Sequence, residues 1–324
     1  MGAVTDGSWG EPGRVTPRGD GLWQIDLGFR GREGVIAAYL LAGADELALV
    51  ETGPTSTLSA LLAGIREAGF DPVRLNRIFV SHIHLDHSGA AGVLLRDHAP
   101  DAVVHVHPLG APHLIDPSRL VASASRLYGE RMDDLWGEVA PIPAERVVSW
   151  SDGDSVETGG RPLTGLFTPG HAAHHVVLWD PFRGVAFTGD VGGVRMAGTG
   201  YALPPAPPPE VDPEGWAGSV ERMTALAARR LYLTHGGGVD DVAAHLAQLL
   251  PNLDELRALV KVGLLAGEDQ AALTERVHRH VSTRLGPVEP GVLANLEWAA
   301  PSFLSAAGLT RLLRKRGEAP AAGA

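Results

Sequence analysis

The chain has 324 residues, of which 44% are hydrophobic and 20% charged, a composition typical of a globular protein with one large or two modest domains. The formal net charge is −11 and no long run of lysine and arginine precedes residue 311, which argues against binding to nucleic acid or another polyanion. The absence of cysteine excludes disulfides and thiolate ligands, so a metal ion would need histidine, carboxylate or water ligands.

The N-terminal residues lack the basic stretch followed by an apolar stretch that characterises a secretory signal. No segment reaches the roughly 18 uninterrupted apolar residues of a membrane helix. We therefore expect a cytoplasmic protein that does not bind membranes.

The first half of the chain predicts strands that alternate, though not strictly, with helices. Apolar or alternating runs bounded by turn-forming residues predict strands at 22–27, 35–41, 47–50, 78–80, 103–106 and within 147–167. Apolar residues at helical spacing predict helices at 58–69, near 89–98 and near 118–139.

The second half predicts a hairpin, a loop and then helices. The runs 176–179 and 185–187 flank a turn-forming sequence and predict a β-hairpin. The proline-rich stretch 203–209 predicts a loop or lid, because proline lacks the amide donor that helix interiors and central strands need. A helix near 213–229 and a strand at 231–233 follow.

These patterns divide the chain into three parts. We expect residues 1–239 to form the main domain, residues 240–316 to form a C-terminal helical appendage packed on it, and the Ala/Pro/Gly-rich residues 317–324 to form a disordered tail.

The most informative feature is the segment from Ser81 to Gly89, which directly follows the apolar run 78–80. It places three imidazoles and one carboxylate within six positions: His82, His84, Asp86 and His87. Imidazole and carboxylate are the usual nitrogen and oxygen donors for zinc and similar divalent ions, and a rigid strand end can fix the direction of ligands on one sharp turn. The segment therefore predicts a metal site.

Three further residues share this context, since each follows an apolar strand and lies next to glycine: His171, Asp190 and His235. The ends of strands in one sheet converge in space, so residues distant in sequence can surround a common ion. Taken singly, each of these residues has an equally good structural interpretation. Together with the histidine-rich segment they make a set of seven predicted ligands.

This ordered set resembles the metallo-β-lactamase superfamily, with an acidic residue before Thr-Gly at Glu51, the pattern HxHxDH, and then a His, an Asp and a His after successive strands. The resemblance covers residues 20–238. It implies an α/β fold, the αβ/βα four-layer sandwich, with two metal sites. It implies His82, His84 and His171 at the first site, Asp86, His87 and His235 at the second, and Asp190 as the bridge. The sequences Thr-Pro-Gly-His at 168–171 and Thr-Gly-Asp at 188–190 are similar to those of glyoxalase II-like hydrolases.

The chemistry of such a site favours a hydrolase. Two cations can share a hydroxide whose pKa falls toward neutrality, while they polarise a carbonyl and neutralise the oxyanion. We therefore predict attack on a small-molecule thioester, lactone, ester or lactam, with two divalent ions, zinc foremost and iron or manganese as alternatives. Asp86 is either a ligand that also passes a proton to the leaving group, or a ligand only. Glu51, where the superfamily more often has Asp, either supports a ligand histidine or forms a structural ion pair.

The main alternative is an oxidoreductase that resembles the persulfide dioxygenases of the same superfamily. In that interpretation His82 or its neighbour, His171 and Asp190 hold one iron ion. The arginine-rich segment that those enzymes carry after the Asp is absent here. The acidity of the chain argues against the phosphodiesterase and RNA-processing members.

The remaining predictions concern the surroundings of the site. We expect residues 108–145, the proline-rich loop and the C-terminal helices to shape either the substrate pocket or the contact in a homodimer. The proposed wall residues are Tyr128, Trp136, Arg195, Met196 and Tyr201. We expect structural or surface roles for His105 and His107, and His175 is a candidate for a residue that supports the ligands.

Overall fold

Apolar runs of the sequence form two β-sheets in the computed structural model, which describes residues 15–44 and 46–320. The first sheet has seven strands in chain order, antiparallel from the first to the fourth strand and parallel from there on. These strands are β1 (Val15–Gly19), β2 (Leu22–Asp26), β3 (Ala37–Ala42), β4 (Leu47–Val50), β5 (Leu75–Phe79), β6 (Val103–Val106) and β7 (Val147–Ser149).

The second sheet has six strands in the order β13-β12-β11-β10-β9-β8, in which only β11 and β12 run parallel. These strands are β8 (Ser155–Glu157), β9 (Pro162–Phe167), β10 (Val176–Asp180), β11 (Val185–Phe187), β12 (Arg230–Leu233) and β13 (Gly237–Val239). The predicted hairpin is therefore the pair β10–β11.

The helices of the first part of the chain are α1 (Leu58–Glu67), α2 (Leu85–Ser88), α3 (Ala91–Asp97), α4 (Ala111–Ile115), α5 (Ser118–Tyr128), α6 (Met132–Trp136) and α7 (Pro213–Ala225). The C-terminal helices are α8 (Val242–Leu265), α9 (Gln270–Leu285), α10 (Pro290–Ala299) and α11 (Ser302–Lys315). Among the described residues, no helix is both long and apolar enough to cross a lipid bilayer.

The two sheets face each other across a buried aromatic layer. On β3, Tyr39 and Leu41 point into this layer, whereas Ala38 and Leu40 belong to the core cluster on the opposite face. The Tyr39 ring centroid lies 5.2 Å from that of Phe187 and 5.1 Å from that of Tyr232, both in the other sheet. Side chains alternate between the faces of a strand, so a strand that is apolar at every position must be covered on both sides. The predicted αβ/βα sandwich is confirmed.

Five elements differ from what the sequence predicts or lack a clear pattern in it. The edge strand β1 contains Pro17, which edge positions tolerate, and β13 consists of two glycines and a valine, so neither carries a clear strand pattern. Helix α4 is only five residues long and contains Pro112 near its start. The predicted helical segment 118–139 is interrupted by a short 3-10 turn between α5 and α6, and the helix predicted at 213–229 ends at Ala225.

The C-terminal helices share one buried apolar cluster with the sandwich. Helix α8 is also tied to it by hydrogen bonds, since His245 Nε2 donates to the carbonyl of Gly192 at 2.7 Å and Asn252 Nδ2 donates to that of Ala202 at 2.7 Å. The division of the chain at residue 239 stays a prediction. Of the predicted disordered tail, residues 321–324 lie outside the described residues, and Glu318 accepts a hydrogen bond from Lys261 Nζ at 3.0 Å.

Candidate metal centre

The ends of strands from both sheets deliver the seven predicted residues to one place. His82 and His84 follow β5, and Asp86 and His87 lie in the short helix α2. The other three follow strands of the second sheet: His171 after β9, Asp190 after β11 and His235 after β12. All seven side chains meet in a single cluster.

Three imidazole nitrogens converge at one side of the cluster. His84 Nδ1 lies 2.9 Å from His82 Nε2 and 3.0 Å from His171 Nε2. Burial, together with the neighbouring histidines, holds the pKa values of His82 and His84 well below the ordinary range, and burial also lowers the pKa of His171. The three rings are therefore neutral near pH 7, and neutral imidazole is the form that binds a metal ion.

A second group surrounds the carboxylate of Asp190. Asp190 Oδ1 lies 3.3 Å from both His87 Nε2 and His235 Nε2, while Oδ2 lies 3.4 Å from His171 Nε2. Asp86 Oδ2 lies 3.5 Å from His235 Nε2 and 3.9 Å from His87 Nε2. The two oxygens of Asp190 thus face the two groups of histidines.

Three of these buried atoms lack a hydrogen-bond partner among the described residues: His87 Nε2, His235 Nε2 and Asp190 Oδ1. A buried polar atom without a partner costs roughly 1–3 kcal/mol of stability. Here Asp190 Oδ1 lies 3.3 Å from each of the two nitrogens. Cations bound among them would satisfy all three. The donor set therefore fits a metal ion, and the cluster is a candidate metal-binding site.

The charges within the second group are strongly coupled. Burial alone would lower the pKa of His87 and His235, but the nearby carboxylates outweigh it, so the pKa of His87 lies well above its usual value and that of His235 rises to about 10. Burial would raise the pKa of both acids, but the histidines lower it to about 2 for Asp86 and well below the ordinary range for Asp190. Both carboxylates are ionised near neutral pH.

Backbone carbonyls on the far side of two histidine rings fix which ring nitrogen faces the cluster. His171 Nδ1 donates to the carbonyl of Pro205 at 2.9 Å, and His235 Nδ1 donates to that of Val35 at 2.6 Å. In each ring Nε2 is then the nitrogen that faces the cluster, and it carries the lone pair when the ring is neutral. Neither carbonyl could be found from the sequence, since a backbone acceptor leaves no signature in residue type.

Glu51 supports His87 rather than contacting the centre of the cluster. It is buried, and its Oε1 lies 3.3 Å from His87 Nδ1, so the ring can turn Nε2 toward Asp190. Glu51 Oε2 also accepts a hydrogen bond from the Ser81 amide at 3.4 Å. Of the two predicted roles, support of a ligand histidine therefore agrees with the geometry.

Two glycines allow the ligand loops to approach their neighbours. Gly189 has a φ of 47°, and a Cβ there would lie 2.5 Å from Ser81 Oγ and 2.7 Å from His175 Nε2. Gly236 has a φ of 100°, and a Cβ there would lie 1.8 Å from the carbonyl oxygen of Arg195. Both positions therefore favour glycine on conformational and steric grounds.

Two other histidines lie close to the cluster. His175 Nδ1 lies 3.0 Å from Thr168 Oγ1, and its Nε2 accepts a hydrogen bond from the Val191 amide at 3.3 Å, which ties the β9 loop to the residue after Asp190. His174 was not among the residues predicted from the sequence. Its ring centroid lies 6.0 Å from that of His84, and it lines the adjoining cavity. His105 and His107 lie outside the cluster, against Phe79 and Phe167 respectively.

A cavity of about 560 Å³ opens onto the cluster and is lined by His84, Asp86, His171 and Asp190. Its other walls come from α5, α6, the proline-rich loop and the region where α10 meets α11. Two of the predicted wall residues, Tyr128 and Trp136, line it.

The other three predicted wall residues have different surroundings, so their assignment to the wall was wrong. Arg195 pairs with Asp241 at 2.8 Å, Met196 is buried in the core, and Tyr201 lies beneath the Arg284 guanidinium. All three follow Asp190 in sequence, but that segment turns toward α8 and away from the cavity.

Comparison with known proteins agrees with this architecture. Residues 31–235 match the family model described as the metallo-beta-lactamase superfamily. The chain belongs to this superfamily. The match begins just before β3 and ends at His235, so it spans all seven residues of the cluster.

Individual relatives are distant. The metallo-beta-lactamase fold-containing protein ST1585 of Sulfurisphaera tokodaii is 27% identical over 241 residues, which are 72% of this chain and 85% of that protein. The human acyl-coenzyme A thioesterase MBLAC2 is 26% identical over 184 residues, 53% of this chain and 64% of that protein. The crystal structure of the metallo-beta-lactamase family protein TTHA1429 from Thermus thermophilus superposes with a TM-score of 0.63 at 23% identity, covering 87% of this chain and 89% of that one, which shows a shared fold.

Proposed function

We propose that this member of the superfamily is a hydrolase that uses two divalent metal ions to cleave a small-molecule carbonyl compound, with thioesters as the favoured class. The observation that carries the proposal is the pair of ligand groups joined by the two oxygens of Asp190. A mononuclear iron oxidoreductase would need only one of these groups, whereas the sequence provides both.

The geometry supports the proposed ligand assignment. His82, His84 and His171 would hold one ion, Asp86, His87 and His235 would hold the other, and Asp190 would bridge them. Bound in this way, the two ions would supply a nucleophile by acidifying water, and they would polarise the carbonyl under attack.

We assign the proton transfer to Asp86 on its position. It lines the cavity beside the ligand histidines, and its ionised carboxylate can accept a proton from water there. In hydrolysis the bond from the carbonyl carbon to the leaving sulfur or oxygen breaks as a bond to the water oxygen forms. Asp86 would take the proton released from water and deliver it to the leaving atom.

Relatives support the choice of substrate class. The name of human MBLAC2 describes an acyl-coenzyme A thioesterase, and a fungal relative is named thioesterase pkgB. Hydrolysis of a thioester needs only the carbonyl chemistry described above. Zinc is the proposed metal, because a set of histidines and carboxylates with no thiolate suits it well.

Replacing ligands tests the proposal. We expect His84→Ala and Asp190→Ala each to reduce turnover more than about 100-fold and to lower the bound metal, because His84 would hold one ion and Asp190 would bridge the two. The measurements are metal content and hydrolysis of a panel of thioesters, lactones, β-lactams and phosphodiesters.

The matched control is His98→Ala, since His98 ends α3 away from the cluster and should not affect turnover. Circular dichroism would verify that each variant folds. Full turnover by a folded variant without metal would contradict the proposal, and so would oxygen consumption in place of hydrolysis.

A further inference from the structure

The cavity beside the cluster has apolar walls that the ligand residues do not require. The walls come from segments that hold none of the seven ligands: α5 and α6, the loop 205–209, and the residues from Trp298 to Ser305. They enclose a volume of about 560 Å³, within the range of sites for small organic ligands. The walls are therefore available to recognise a substrate.

Helix α5 turns an apolar face toward this cavity. Leu120, Ala124, Leu127 and Tyr128 recur at helical spacing and all line it, yet only Ala124 is buried, and Leu127 is 39% exposed. An amphipathic helix normally buries its apolar face against a core. On α5 the apolar face instead borders the cavity, where it can contact a bound molecule.

The wall at the start of α11 has the same character. Phe303 is 38% exposed and lines the cavity, and its ring centroid lies 6.4 Å from that of Tyr128 on α5. Trp136 stacks on Phe29 at 5.7 Å and closes another part of the wall. The apolar walls are thus aromatic and aliphatic side chains from separate elements.

The carboxylates of the wall outside the cluster are engaged elsewhere. Glu297 contacts His278 Nδ1 at 2.9 Å and accepts a hydrogen bond from the Ser302 amide at 3.0 Å. Glu210 accepts a hydrogen bond from the Ala173 amide at 3.2 Å. These acids are held by protein partners. Arg119 and Arg131 also line the cavity, and the guanidinium of Arg131 lies 5.3 Å from the centroid of the Trp298 ring. Most of the lining is nevertheless apolar.

We infer that the cavity binds the acyl group of the substrate, and that this group is an apolar hydrocarbon chain of several carbons. The inference rests on the proposed hydrolytic function, because the same cavity contains His84, Asp86, His171 and Asp190 and so places the reacting carbonyl at the cluster. An acetyl group would leave most of the walls in contact with water. A longer chain buries them.

A chain-length series tests the inference with the metal-loaded protein. The substrates are N-acetylcysteamine thioesters with acyl groups from acetyl to decanoyl, and kcat/KM is measured for each. Full burial of a methylene favours binding about fourfold, so we expect kcat/KM to rise about twofold to fourfold per methylene until the cavity is full. Octanoyl should exceed acetyl by at least about 50-fold.

Wall variants localise the effect. Leu127→Ser and Phe303→Ser, singly and together, should lower the octanoyl-to-acetyl ratio, by at least about tenfold for the double variant. Both side chains are more than a third exposed, so these replacements should not disturb folding. The matched control is Leu265→Ser, at the end of α8, where the side chain is 64% exposed and does not line the cavity. An unchanged ratio in the double variant would overturn the inference.

A binding measurement separates this inference from the hydrolytic proposal. N-methyl alkanamides of the same chain lengths resist hydrolysis, and calorimetry can follow their binding. Affinity that rises with chain length while no thioester is cleaved would support the apolar cavity and contradict the hydrolase. If the thioesters are cleaved but neither kcat/KM nor the affinity for the alkanamides depends on chain length, the hydrolase is retained and the inference is overturned.

Discussion

Asp190 is the residue on which the two halves of the cluster depend. Its oxygens lie 3.3 to 3.4 Å from the nitrogens of three histidines that come from separate loops. It occupies a 3-10 turn, Gly189–Gly192, that follows β11 directly, and the next amide is held by His175. Backbone hydrogen bonds thus fix the carboxylate before any ion binds, which reduces the entropy lost on binding.

A substitution of Glu51 tests whether its contact with His87 strengthens metal binding. Glu51→Gln removes the negative charge 3.3 Å from His87 Nδ1 while keeping the size of the side chain. We expect metal affinity to fall about 10-fold to 100-fold, because a partner behind a ligand histidine raises its basicity and fixes its orientation. Competition with a chromogenic chelator measures the affinity.

Glu67→Gln is the matched control, since Glu67 is exposed at the end of α1. Equal affinities for the wild type, Glu51→Gln and the control would show that Glu51 has a purely structural role.

At the scale of elements, β6 carries an ionisable side chain into the aromatic layer between the sheets. The His105 ring centroid lies 4.8 Å from that of Phe79 on β5 and 5.2 Å from that of Trp150 after β7. Within the described part of the chain, neither ring nitrogen has a hydrogen-bond partner. Burial, and to a lesser extent Arg77, lowers the pKa of His105 to about 4. Folding therefore favours the neutral form of this ring.

This arrangement predicts a specific loss of stability in acid. The unfolded chain takes up a proton at His105 near pH 6.5, but the folded chain does so only near its pKa of about 4, so the free energy of unfolding falls as the pH drops through this interval. From pH 7 to pH 5 this single group should remove about 2 kcal/mol. Urea denaturation at both pH values should show that His105→Leu loses about that much less than the wild type.

His98→Leu provides the comparison, because His98 ends α3 outside the aromatic layer. An identical pH dependence in the wild type and His105→Leu would mean that His105 is not held neutral by its surroundings.

At the scale of the whole molecule, the cluster brings together loops from both sheets. Its ligands come from the ends of strands in both sheets, so a bound ion connects the two halves of the sandwich. The C-terminal helices meet the same region, because His245 on α8 holds the carbonyl of Gly192 in the turn that carries Asp190. Metal binding should therefore stabilise the entire fold.

Removal of metal tests this expectation. A ligand present at 100 times its dissociation constant stabilises the folded state by about 2.7 kcal/mol, which corresponds to a rise in Tm on the order of 5 °C for a protein of this size. We expect the zinc-loaded protein to melt higher than the chelator-treated protein by about this amount, as measured by calorimetry. Asp190→Ala should show a smaller difference. A rise of equal size in that variant would locate the stabilising ion elsewhere.

The sequence by itself determined the family, the sandwich and the seven residues of the cluster. It could do so because HxHxDH and the later His, Asp and His each lie at a strand end, where local pattern and chemistry coincide. Apolar or alternating runs were likewise sufficient for β2, β3, β4 and β6 and for the hairpin β10–β11, whereas β5 begins at Leu75, before the predicted run at 78–80.

Only the tertiary structure decided the surroundings of these residues. The carbonyls of Val35 and Pro205, the contact between Glu51 and His87, and the choice of Tyr128 over Tyr201 as a wall residue depend on how distant segments meet. A local pattern records which face of a strand or helix is apolar, but not which other segment will cover it. The physical reason is that packing between elements is set by the whole chain at once.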